Sequence, residues 1–177
     1  MNITPLSPNN IPQAVSLYEQ AFPIEERRES NEWITLCNNN PLFYPNIISD
    51  EKNAFIGILT YWRFDDFIYI EHFAISPSLR NMGYGSKALA TFKNQISSTP
   101  IILEVELPKT PIAIKRIDFY KRLGFKLLPY DYKQPPYQIN GEEIPLNIMC
   151  ANINDMSNKY AYFVKTIHQE VYKVKRY

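Results

Sequence analysis

The sequence predicts an α/β chain in which a mixed, mostly antiparallel sheet carries helices on its faces. Three features predict it. Three strand-like segments, Phe43 to Ser49, Ala54 to Arg63 and Phe67 to Ile75, follow one another across short polar turns. A strand–helix–strand crossover comes next. Apolar residues recur at helical spacing both before and after these strands.

In chain order, Ile3 to Leu6 reads as a first strand. Ser7 or Asn10 can cap a helix that has Pro12 in its first turn and Val15, Tyr18 and Phe22 toward the core. Pro23 stops it, and a second helix carries Trp33, Ile34 and Leu36. Asn38 to Pro41 is a turn cluster before the meander, whose turns are Asp50 to Asn53 and Asp65-Asp66. A helix from about Gly85 to Ile96 buries Ala88, Leu89, Phe92 and Ile96. Ile101 to Leu107 alternates, with Leu103 and Val105 on one face and Glu104 and Glu106 on the other. Pro111 opens a helix from Ile112 to Leu123, closed by Gly124. Strands are expected at Lys126 to Tyr130 and Pro145 to Cys150, with Gln134-Pro135-Pro136-Tyr137 between them as loop. From Ser157 on, Tyr160, Phe163, Ile167, Val171 and Val174 form one helical stripe. The whole chain, 1–177, reads as one domain.

The hydrophobic fraction of 45% marks a folded chain. At 177 residues it can bury about 70% of its unfolded surface without disulfide or metal staples. A formal net charge of +1 gives no global pull toward nucleic acid or an anionic membrane. Cys37 and Cys150 do not make a disulfide framework. No apolar run approaches the ~20 residues of a membrane span, and Met1 to Pro5 has no leader pattern. The expectation is a soluble, cytoplasmic protein. His72, His168 and the two cysteines lack metal-ligand spacing, so no metal is expected.

The most informative segment runs from Ile70 to Ser86: a strand, a tight loop and a helix start. Gly83 and Gly85 let backbone N–H groups turn inward without Cβ obstruction. The helix behind them adds unpaired N–H groups and a positive dipole end. The product is an anion cradle of pyrophosphate size, with Arg80 as extra charge. Gly83-x-Gly85-x-x-Ala88 also fits a dinucleotide fingerprint, but Pro77 to Met82 separates the glycines from the strand. A Walker A loop fails because Ser86-Lys87 follows Gly85 in the wrong order.

Arg80-x-x-Gly83-x-Gly85 after Phe73-Ala74-Ile75 resembles the coenzyme A pyrophosphate motif of the GNAT N-acetyltransferase superfamily. Ile117 to Phe125, with Tyr120 and Gly124-Phe125, resembles that family's later helix. The likeness is strongest over 54–125. It implies a GNAT fold with a splayed parallel strand pair, acetyl-coenzyme A as cosubstrate and direct attack by an amine. Phe73, Ala74, Ile75, Arg80, Asn81, Met82, Gly83, Tyr84, Gly85 and Ser86 would hold the coenzyme. A backbone N–H of Ala74 or Phe73 would polarise the thioester carbonyl. Glu71 is the candidate base, with Glu104 and Glu106 as rivals and a solvated strand carboxylate as the plain alternative; Tyr120 is the candidate acid for the departing thiolate. Phe22, Glu104 and Tyr137 are candidates for the acceptor side.

The pattern departs from the family at Ala113, where many members carry Asn, and at Arg116, where Ala is usual. His72 neighbours Glu71 but faces the other side of an ideal strand, which favours a structural role. The terminal stripe is backed by Lys165, Lys173, Lys175 and Arg176, read as a solvated face. Expected partners are a small-molecule or peptide amine and neither nucleic acid nor membrane; a homodimer is compatible. The reading from a different class is a non-catalytic acyl-coenzyme-A-binding module, which the Ala113 departure favours. A dinucleotide-dependent enzyme is the third.

Overall fold

A computed structural model describes residues 1–174, so Lys175 and Arg176 lie outside the described residues. The strands are β1 (Asn2–Pro5), β2 (Phe43–Ser49), β3 (Phe55–Arg63), β4 (Ile68–Ile75), β5 (Ile101–Glu106), β6 (Lys126–Leu127), β7 (Tyr132–Gln134) and β8 (Ile144–Ala151). The helices are α1 (Ile11–Ala21), α2 (Ser30–Asn39), α3 (Tyr84–Gln95), α4 (Pro111–Arg122) and α5 (Tyr160–Glu170). The chain is mixed α/β, as the pattern of meander and crossover predicts. The described residues divide into two compact units, 1–63 with 70–98, and 64–69 with those from 99 on.

In the first unit the strand order is β1-β2-β3-β4. β1 pairs antiparallel with β2, and β2 with β3. The Asp50 turn joins β2 to β3, its side chain accepting from the N–H groups of Lys52 and Ala54. Helices cover both faces of β3 because its side chains alternate. Tyr61 meets Phe92 of α3, with ring centroids 4.9 Å apart. Thr60 points the other way, toward His72, whose ring stands edge-on to Tyr18 of α1 at 4.9 Å. Trp33 of α2 stacks on Tyr18 at 4.8 Å, and all three of Tyr18, Trp33 and Trp62 are fully buried.

In the second unit β8 is central, pairing antiparallel with β5, β6 and β7. Ile68 N–H donates to the Pro100 carbonyl at 2.8 Å, where the start of β4 runs parallel beside β5. α4 packs on β5 and β6. Thr110 caps α4 by accepting from Ala113 N–H, and Pro111 occupies its first turn.

Three expectations need correction. β7 is absent from the sequence reading, and Gln134 is its last residue, so the loop begins at Pro135. The strand expected at Lys126 to Tyr130 is only two residues long, since Leu128 leaves the ladder pattern before Pro129. The last helix ends at Glu170, before Val171 and Val174; Lys173 has a φ of 59°.

Candidate coenzyme and acceptor site

The loop between β4 and α3 builds the cradle. Asn81 and Gly83 both adopt positive φ, at 64° and 80°. Gly83 is the residue preceding α3, in left-handed geometry, and no side chain caps the helix. Lys87 N–H is satisfied by the Gly83 carbonyl, so the N–H groups just before it are the unpaired ones every helix start carries. A Cβ added at Gly83 would find nothing within 4 Å, so the space before the helix is open. Arg80 is exposed and its Nε donates to the Ile75 carbonyl at 3.1 Å, which fixes it at the end of β4. Met82 is exposed, as are Asn81 and Ser86. The residues present fit a pyrophosphate.

Behind the cradle, Gly57 of β3 lies against β4. A Cβ there would stand 2.2 Å from the Ala74 carbonyl oxygen, so only glycine permits the approach. Ala74 is buried, while Phe73 and Ile75 are half-buried. Gly57 was not legible as a site-shaping residue, because a lone glycine in a strand does not reveal its neighbour.

Glu71 is not a solvated strand carboxylate. Its side chain is 0% exposed and pairs with Arg28, whose side chain is 12% exposed. Trp62 Nε1 donates to its other oxygen at 3.0 Å, and the Arg28 guanidinium lies 5.9 Å from the Trp62 ring centre. Burial pushes the Glu71 carboxyl up, but the Arg28 charge and the hydrogen bonds from Arg28 and Trp62 outweigh it and hold it below the usual carboxylate range. His72 reaches the same face of β3 as Glu71, with Nδ1 3.8 Å from the Glu71 carboxylate, so β4 departs from ideal alternation there. Its neutral ring can donate from Nε2 to the Glu26 carbonyl at 3.3 Å and lies 3.5 Å from the Thr60 hydroxyl. Burial lowers its pKa to about 4, more than Glu71 raises it. Phe22 packs edge-on against this ring at 4.6 Å. Arg28 also lines an open cleft with Glu32, Thr35, Leu36, Asn39 and Asn40.

The second unit holds the other candidates. Tyr120 on α4 is 8% exposed, and its ring meets Phe119 and Phe125 edge-on. Burial pushes its phenol up to about 12. Glu106 pairs with Arg116, the residue that departs from the family pattern. Glu104 accepts hydrogen bonds from Tyr132 and Tyr172, the latter at 2.8 Å. Tyr137 is half-buried, its ring 5.0 Å from that of Tyr172. Both thiols are shifted upward by burial, Cys37 to about 12, which disfavours a thiolate nucleophile.

Among the described residues, no group of three His, Cys, Asp or Glu side chains comes together as a metal site would require. No helix among them is long and apolar enough to cross a membrane.

The meander that leads into left-handed Gly83 and an uncapped helix start is the arrangement the resemblance to the acetyltransferase superfamily implies. The chain belongs to the acetyltransferase (GNAT) family, whose sequence model matches residues 11–125. It is 32% identical over 111 residues to the candidate acetyltransferase YjbC of Bacillus subtilis (strain 168), a match over 59% of this chain and 52% of that protein. The match thus spans about half the length of that relative. A candidate GNAT acetyltransferase structure from Bacteroides thetaiotaomicron superposes with a TM-score of 0.92 and 36% identity, over 99% of this chain and 100% of that one. The ribosomal-protein-S18-alanine N-acetyltransferase of Escherichia coli gives a TM-score of 0.62 at 18% identity, over 85% of this chain and 92% of that one, a likeness of fold alone.

Proposed function

We propose that this chain moves an acetyl group from acetyl-coenzyme A to a primary amine by direct attack. The observation that carries the reading is the uncapped start of α3, opened by left-handed Gly83 onto free space. Backbone N–H groups of 83–86, with Arg80, would hold the pyrophosphate. The backbone of Phe73, Ala74 and Ile75 would hold the pantetheine arm, and an N–H of Phe73 or Ala74 would polarise the carbonyl. The coenzyme supplies the thioester.

The amine nitrogen bonds to the carbonyl carbon as the carbon–sulfur bond breaks. By the family resemblance Tyr120, neutral with its raised pKa, is the group that would give a proton to the departing sulfur. Glu71 is a weak base while paired to Arg28, so in this reading it positions Arg28 and the amine proton leaves through water. The non-catalytic reading is favoured only by Ala113, where the family commonly has Asn.

Calorimetry with acetyl-coenzyme A, followed by thiol release across an amine panel, tests both readings. Binding with release supports transfer, and binding with no release supports the module. Gly83→Val should weaken binding about tenfold or more, because a β-branched residue resists φ near 80° and fills the cradle. Unchanged affinity in that variant would remove the cradle from the mechanism.

A further inference from the structure

We propose that Gly57 is a positioning residue for the transfer: its missing side chain lets β3 close on the end of β4 and sets the backbone edge along which the acyl arm would lie. This inference rests on the acetyl-transfer reading and adds a residue to it. Gly57 sits inside β3, between Ile56 and Ile58. A glycine weakens a strand interior, and its usual reason there is the close approach of another backbone. Left-handed geometry is not the reason, because among the described residues positive φ belongs to Gly83 and Gly124 and not to Gly57. Space is. A Cβ there would stand 2.2 Å from the Ala74 carbonyl oxygen, 3.2 Å from the Ala74 carbonyl carbon and 3.2 Å from the Ile75 Cα. All three are backbone atoms, so no side chain can turn aside to make room.

The exit of β4 is built around this approach. The register of β3 against β2 passes from Gly57 opposite Ile48 to Phe55 opposite Ser49, so Ile56 is the extra residue of a bulge. The Ile56 carbonyl accepts from the Ser76 N–H at 2.8 Å, which ties the residue after β4 to β3. The Ala74 carbonyl is turned toward β3, its oxygen nearer to the Gly57 position than its carbon. The peptide is trans, so the Ile75 N–H points to the opposite edge of β4. The Ile75 carbonyl accepts from Arg80 Nε at 3.1 Å. The peptide groups on either side of Ile75 are thus held by β3 and by the cradle loop. Tyr61 of β3 meets α3, and alternation puts Gly57 on the same face, that of the helix whose start forms the cradle. All of these residues lie in the first unit. Ordinary contact begins at 3.4 Å, so a methyl group at 57 forces the strands apart by about 1 Å. An error of about 1 Å in placing reacting groups costs about 10²-fold in rate.

Gly57→Ala tests the assignment. Calorimetry with acetyl-coenzyme A gives the affinity and the fraction of competent sites, and thiol release with the amine the wild type uses best gives kcat per competent site. The expected result is a kcat about hundredfold lower with acetyl-coenzyme A affinity within about threefold of the wild type, since the cradle is untouched. A glycine that only serves the fold would lower the urea midpoint and the competent fraction and leave kcat per site unchanged. That result overturns the proposal, as does a loss of affinity equal to the loss of kcat. If Gly57→Ala fails to fold, the wild type labelled with 13C-glycine gives a second reading by NMR, with five glycines to follow. Acetyl-coenzyme A should shift Gly57, Gly83 and Gly85, whereas ADP, which has the diphosphate without the arm, should leave Gly57 unmoved. A Gly57 signal indifferent to acetyl-coenzyme A, or moved as far by ADP, overturns the proposal. Wild-type turnover matched by Gly57→Ala sinks this inference and leaves acetyl transfer standing. A wild type that binds no acetyl-coenzyme A, or releases no thiol with any amine, sinks the transfer reading itself.

Discussion

Glu71 in the first unit and Glu104 in the second are both strand carboxylates that accept hydrogen bonds from aromatic side chains, yet they differ in how far water reaches them. Glu71 is wholly removed from water, and a guanidinium answers its charge. Glu104 is half-buried and accepts hydrogen bonds from Tyr132 and Tyr172. A charge already answered by protein is a structural element, and drawing it into proton transfer means displacing Arg28. A carboxylate that keeps contact with water gains less from each hydrogen bond it accepts, because water can replace a lost donor.

The largest expected effect tests the first half of that comparison. Arg28→Met removes the guanidinium from a buried, ionised carboxylate that also meets the Trp62 donor and His72. Breaking a buried pair from one side costs about 3–5 kcal/mol, because the remaining charge is uncompensated. Urea unfolding measures it, and adding Glu71→Gln to Arg28→Met should recover part of the loss. A cost below about 1 kcal/mol, the range of exposed pairs, would mean that water reaches Glu71.

The second effect is of pH. The folded-state pKa of His72 is depressed to about 4 from an ordinary 6.5. The unfolded chain therefore binds a proton that the folded chain refuses. This contribution is fully present above pH 6.5 and is lost as pH falls toward 4. Across that window it amounts to about 3 kcal/mol. His168 shifts the same way through burial, so the wild-type slope contains both residues. His72→Phe, which keeps an aromatic ring beside Tyr18 and Phe22, should flatten the slope by the His72 share. Urea midpoints at successive pH values read it directly, and an unaltered slope would place His72 in contact with water.

The sequence makes the fold legible where periodicity and punctuation agree. Phe43–Ser49 matches residue for residue, and the Pro111 helix is displaced by one residue at each end, because turn residues and a first-turn proline mark the boundaries. β7 was hidden because its three residues adjoin Pro135-Pro136, and its pairing with β8 is set by tertiary contact. The cradle was legible because its chemistry is local: a few consecutive residues supply strand end, turn and helix start. The partners of Glu71 and Glu104 were not. Arg28 lies 43 positions from Glu71, and Tyr172 lies 68 from Glu104, so no spacing rule joins them. The sequence holds 13 tyrosines, but which of them meet Glu104 is a property of the folded chain.

The smallest expected effect bears on the second half of the comparison. Tyr172→Phe removes one donor to Glu104 and breaks the contact of hydroxyls with Tyr69 and Tyr137. A hydrogen bond to a charged group is worth about 1.5–3 kcal/mol. The net loss should fall near the lower end, since Tyr132 remains and a half-buried carboxylate can recruit water in place of the lost phenol. The same urea experiment should therefore rank Tyr172→Phe well below Arg28→Met. Equal losses would mean that the Glu104 cluster is as closed as the Glu71 pocket. The cluster would then be a closed device for anchoring the chain beyond α5.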